Sequence, residues 1–106
     1  MALTTPGAKN HEGLAKLASR YVDVEGLPWV KTRWPGVEIK VLMEDKETGL
    51  LTALTRFAPG ATLPDHEGVA TTGNFVWRPA GNRHSAHAKD GCVALSFFLK
   101  PNKFFD

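Results

Sequence analysis

Apolar and polar residues alternate most plainly between Val37 and Glu44. Val37, Ile39, Val41 and Met43 take one parity, and Glu38, Lys40, Leu42 and Glu44 the other. A period of two belongs to a β-strand with one buried face. Asp45-Lys46-Glu47-Thr48-Gly49 then reads as a hairpin loop closed by glycine, and Leu50 to Phe57 as the returning strand, which Pro59-Gly60 ends. Farther on, Phe75 to Trp77 reads as a short strand, Pro79-Ala80-Gly81 as a turn and Arg83 to Ala88 as another strand. Asp90-Gly91 supports a tight turn into Val93 to Leu99, where Val93, Leu95, Phe97 and Leu99 share a face. Before Tyr21 the pattern differs. Residues 1–9 carry Thr, Pro and Gly and read as a loose arm. Asn10 would cap a short helix over 11–20, with Leu14, Leu17, Ala18 and Tyr21 at helical spacing and Gly13 weakening its first turn. The expected organisation is an N-terminal arm or short helix over 1–19 and one all-β domain, a sandwich or barrel, over 20–106.

Composition narrows the class without changing that picture. The 106 residues suit one domain with a real core, and 42% hydrophobic with 23% charged residues exclude wholesale disorder. No apolar run approaches the ~20 residues of a membrane helix, and MALTTPGAKN lacks the apolar stretch of a signal peptide. A net charge of +2 with no basic stripe specifies no nucleic-acid partner. Cys92, the one cysteine, excludes an internal disulfide, so a cytoplasmic setting is expected. Cys92 itself reads as a small buried side chain.

The candidate chemistry lies in the histidines. His11 falls in the N-terminal region and reads as solvated; His66, His84 and His87 fall near turns. Imidazole is the commonest metal ligand at neutral pH. Gly60-Ala61-Thr62-Leu63-Pro64-Asp65-His66 is a glycine, five residues, then histidine. Gly73 to His84 runs glycine, five residues, Pro79-Ala80-Gly81, two residues, then histidine. The second string resembles the second motif of cupins at every fixed position, and the first resembles the opening of their first motif. Pro28 to Val37, with Leu54 to Ala61, looks like the cupin subfamily typified by the C-terminal domain of the anti-sigma factor ChrR. That subfamily is also similar to small-diketone and hydroxyacetophenone dioxygenases. The resemblance spans about residues 20–100. It implies a jelly-roll fold in which three His and one Glu hold Zn, Fe, Mn or Ni, with open positions for water or a small molecule.

The first motif stops short. Glu67-Gly68 stands where a second histidine is required, and Thr71 or Thr72 where a glutamate is. Six residues, 67 to 72, separate His66 from Gly73. The rest of the motif and an intervening hairpin would need on the order of 15–25 residues. The chain therefore reads as a cupin lacking about two strands, by deletion or because a segment is absent from the sequence. Extended, Glu67 to Gly73 spans up to roughly 23 Å, enough to cross the ~10 Å between packed sheets. Former inner strands would become edges, which invites a dimer or strand-exchanged oligomer.

His66 and His84 are accordingly the candidate metal ligands. Glu67 is a weaker one, being on the opposite side of a regular strand from its neighbour, and so is His87, three residues after His84. Arg33, Arg56, Arg78 and Arg83 could gather at a pocket mouth and hold an anionic ligand, or occupy solvated strand faces. Trp29, Trp34 and Trp77 read as core or interface aromatics. Phe97, Phe98, Phe104 and Phe105 make an aromatic C-terminus, suited to packing over its own core or a partner's. Three functions remain open. One is a binding or sensing module with a degenerate metal or small-molecule site, holding one divalent Zn or Fe ion or none. Another is a metal-dependent dioxygenase-like enzyme, against which the missing His and Glu argue. The last is a metal-free structural oligomer.

Overall fold

The computed structural model describes residues 3–63, 73–77 and 86–99. Its strands are β1 (Val30–Lys31), β2 (Val37–Asp45), β3 (Leu50–Phe57), β4 (Ala61–Leu63), β5 (Ala86–Ala88) and β6 (Cys92–Phe98). Two single 3-10 turns, Lys9–His11 and Val24–Gly26, are the helical elements among the described residues. One sheet has the order β1-β2-β3-β6 and the other is β4-β5, with every pairing antiparallel. The architecture is all-β, as the period-two patterning predicts.

The hairpin between β2 and β3 forms where the sequence places it. Asp45 is 1% exposed. Its carboxylate accepts the N–H of Glu47 at 3.0 Å and the hydroxyl of Thr48 at 3.1 Å. These bonds satisfy a carboxylate that burial would otherwise leave costly. Gly49 closes the loop at φ +81°, and its N–H donates to the Asp45 carbonyl at 2.8 Å. A side chain would be strained in that left-handed conformation.

Within the hairpin the register shifts between Val41 and Met43, so that Val41 pairs with Ala53 and Met43 with Thr52. Leu42 is the extra residue of a β-bulge. Counted back from the loop with Leu42 paired in the ladder, Glu38 would stand opposite Phe57. With Leu42 bulged out, Val37 meets Phe57 and Glu38 meets Arg56. The bulge also corrects the sequence reading. Met43 leaves the face of Val37, Ile39 and Val41 and joins that of Lys40.

The core lies where the sheets meet. Val37 and Phe57 from the larger sheet pack with Ala61 and Ala88 from the smaller, and Trp34 closes over them. Trp34-Pro35-Gly36-Val37 is a turn with Gly36 at φ +76° and Val37 N–H donating to the Trp34 carbonyl at 3.2 Å. A β-carbon on Gly36 would come within 3.1 Å of that of Ala61 and 3.2 Å of that of Ala58. Glycine therefore serves both the turn and the close approach of the two sheets.

The opposite face of the larger sheet is covered over β2 by the segment before β1. Lys40 is buried there, its Nζ donating to the Val24 carbonyl at 2.7 Å and lying 4.8 Å from the Trp29 ring centre. Arg56 crosses the same ring at 4.2 Å. Trp29 is half-buried and so joins the segment to the sheet through two cation–π contacts.

Several expectations are corrected. No α-helix forms over 11–20. Gly13 takes φ +80°, which breaks the helical path after one turn, and Leu17 and Tyr21 are exposed, so the apolar spacing finds nothing to pack on. His11 is half-buried instead of solvated, its Nε2 hydrogen-bonded to the Tyr21 carbonyl at 3.1 Å. The arm is tied down. Thr4 exchanges two backbone bonds with Glu44, at 2.8 and 2.7 Å, and the Thr5 hydroxyl donates to the Leu42 carbonyl at 2.7 Å. Beyond β1 the edge of β2 is open, and the arm fills it. Phe75 to Trp77 form no strand. None of the described strands pairs with them, and Phe75 and Trp77 are exposed. Cys92 is exposed, not buried, since it opens β6 at the rim of the sheet.

Candidate functional site

Two turns fix the smaller sheet. Ala58 to Ala61 closes with the Ala61 N–H on the Ala58 carbonyl at 3.0 Å, and Ala88 to Gly91 with the Gly91 N–H on the Ala88 carbonyl at 3.3 Å. The Gly60 N–H also donates to the Ala88 carbonyl, at 2.6 Å. Gly60 and Gly91 have φ of +83° and +81°. The resulting register pairs Ala61 with Ala88, Thr62 with His87 and Leu63 with Ala86.

This register sorts the side chains. Ala61 and Ala88 belong to the core, so Thr62 and His87 face outward. The His87 side chain is exposed, with Nδ1 2.5 Å from the Thr62 hydroxyl. His66, Glu67 and His84 lie outside the described residues, as do Arg78 and Arg83. The described strands do fix the points from which the chain continues toward them. His66 comes three residues after Leu63 and His84 two residues before Ala86, and these two anchors are cross-strand partners. Among the described residues no group of three or more His, Cys, Asp and Glu could hold a metal ion. The donor set of two imidazoles with a neighbouring carboxylate suits Zn or Fe, and falls short of the four ligands of a structural zinc site.

A concavity lies at the open end of the β2–β3 hairpin. This groove of about 660 Å³ is lined by Lys31, Trp34, Gly36, Glu38, Arg56 and Pro59, among others. Arg56 reaches Glu38 through Nη2 at 2.7 Å and Nε at 3.2 Å. That pair is partly solvated and contributes about 0.2–1 kcal/mol. It orients the guanidinium more than it stabilises the fold. With Lys31 added, cationic groups outnumber the one carboxylate in the lining. Arg33 stands over the Trp34 ring at 4.5 Å. Of the four arginines considered for a pocket mouth, Arg33 and Arg56 thus sit at or beside the groove.

Sequence reasoning missed the pairing of Trp29 with Lys40 and Arg56. The available signal was Leu42, an apolar residue in the polar parity of β2. Read as a bulge, it sets Glu38 against Arg56.

The model of the family described as the ChrR cupin-like domain matches residues 17–70. The matched stretch takes in the hairpin, β4, His66 and Glu67, and stops inside the join at 67–72. It is shorter than the expected span of 20–100, and Gly73 to His84 lie beyond it. No curated protein and no solved structure matches the chain.

Proposed function

Because the chain belongs to the ChrR cupin-like family, we propose that it is a binding or sensing module with a reduced metal and small-molecule site. One observation carries the reading. The β4–β5 register makes Leu63 and Ala86 partners, and His66 and His84 follow from those two residues by three and two steps of chain. At ~3.3–3.6 Å per residue, three and two steps of chain are short tethers from two paired residues. His66 and His84 would hold a divalent Zn or Fe ion, with Glu67 as a weaker oxygen donor. His87 faces outward with Nδ1 engaged by Thr62 and is the weakest candidate. A bound ion would supply a fixed positive charge for an oxygen-bearing small molecule. The incomplete ligand set favours reversible occupancy over turnover, because two imidazoles hold an ion less firmly than a full sphere does.

The test is the metal content of protein purified without a histidine tag. We expect zinc or iron near one per chain, or uptake on adding Zn²⁺, and its loss in His66→Ala and His84→Ala with the fold retained. Protein that neither carries nor takes up metal would leave the metal-free structural reading in its place.

A further inference from the structure

β6 has the features of an interface strand. It is the end strand of the larger sheet, paired with β3 on one side, and among the described residues nothing pairs with its other side. Its sequence, CVALSFF, contains no charge and no proline. Natural sheets usually guard an open edge with such residues or with a bulge, and its pairing with β3 runs without a shift. Val93, Leu95 and Phe97 pair with Arg56, Leu54 and Thr52, so they stand on the same face as Lys40. The pre-β1 segment covers that face over β2. Over β6, by contrast, Val93, Leu95, Phe97 and the following Leu99 are 54% to 78% exposed.

We propose that two copies of this chain meet along β6, around a two-fold axis close to Leu95. Size and symmetry point to a second copy as the occupant. Four such side chains expose on the order of 450 Å², within the ~300–600 Å² of the largest, often functional, apolar patch on a monomer. An isologous contact uses the same patch twice. Two copies bury on the order of 900 Å² of apolar surface, which the strand edge and its rim bring to the ~1,000–1,200 Å² of a specific interface. The stripe is also self-complementary. With Leu95 on the axis, Val93 of one copy meets Phe97 of the other, a small residue against a large one. No charge on β6 opposes the contact, and a net charge of +2 per chain offers little repulsion. This proposal is independent of any metal.

Sedimentation of the whole chain across a concentration series tests it. The expected result is a dimer that dissociates on dilution, with a dissociation constant raised about 30-fold or more in Leu95→Lys. Leu95→Cys in a Cys92→Ser background gives a second measurement that does not require tolerance of a lysine. Thiols facing each other across packed sheets stand ~10 Å apart at Cα, too far for a disulfide but within reach of a short bis-maleimide linker, which should yield a covalent dimer. A wild-type monomer at every concentration overturns the proposal. So does a dimer that Leu95→Lys leaves intact, or a failure of the cysteine variant to cross-link.

Discussion

Single residues hold this fold at points where backbone meets backbone. Gly60 and Gly91 share nearly the same positive φ, yet their surroundings differ. A β-carbon on Gly60 would meet nothing within 4 Å, whereas one on Gly91 would lie 2.9 Å from the Phe57 carbonyl oxygen and 3.3 Å from Pro59. Gly60→Ala therefore bears the left-handed penalty alone, about 1 kcal/mol. Gly91→Ala adds a clash with main chain that cannot swing away, for about 2–4 kcal/mol in all. Urea unfolding midpoints of the two variants measure the difference, and equal shifts would refute it. Lys40 illustrates another rule. A buried ammonium is tolerated because a carbonyl and an indole face replace the water it gives up.

At the scale of elements, strands were legible and the first twenty residues were not. Val37 to Asp45, the four-residue loop and Leu50 to Phe57 follow from alternation and turn chemistry, both local properties. The turn at Gly91 was legible for the same reason. β1 and β4 are too short to show a period, and only pairing with distant segments defines them. The N-terminal apolar residues carry helical spacing without a surface to receive it. Their place is set instead by the open edge of β2, which no local pattern reveals. The arm's attachment yields a prediction. Thr4→Pro removes the N–H that reaches the Glu44 carbonyl, and so one of the two backbone bonds of the bridge. Limited proteolysis should cleave within residues 1–9 several-fold faster, while the unfolding midpoint falls by only about 1 kcal/mol equivalent. Unchanged cleavage would show that the bridge does not hold the arm.

For the molecule as a whole, the all-β class was legible, and so was the family, through Pro28 to Val37 and Leu54 to His66, which lie within the matched stretch. The function was less legible, because the ligand set that the family resemblance implies is present in the sequence only in part. The proposed metal site, reached from the β4–β5 partners Leu63 and Ala86, and the proposed contact along β6 would be separate surfaces. Their effects should therefore separate. Saturating Zn²⁺ at about 100 times its dissociation constant adds about 2.7 kcal/mol, or some 10 °C or more in Tm for a domain of this size. That rise should persist in Leu95→Lys and vanish in His84→Ala. The dependence of Tm on protein concentration should do the reverse. A Zn²⁺ response lost in Leu95→Lys would mean that the two surfaces are one.

No described helix is long and apolar enough to cross a membrane. The described fold is built of strands, and among them the bulge at Leu42 has a consequence in time. A four-residue loop brings β2 and β3 together early, since short closures cost little chain entropy. Pairing Leu42 within the ladder would carry the far end of the hairpin one residue out of step, and bulging it out avoids that. Slipping by one would set charged Glu38 against Phe57 and withdraw Val37 from its partner, so the nascent hairpin has one arrangement worth keeping. β6 must then dock on a template already in step. In pulse-labelled refolding, amides shared by β2 and β3 should gain protection before those of β6, and a chain lacking Leu42, which keeps every β2–β3 partner, should keep that order.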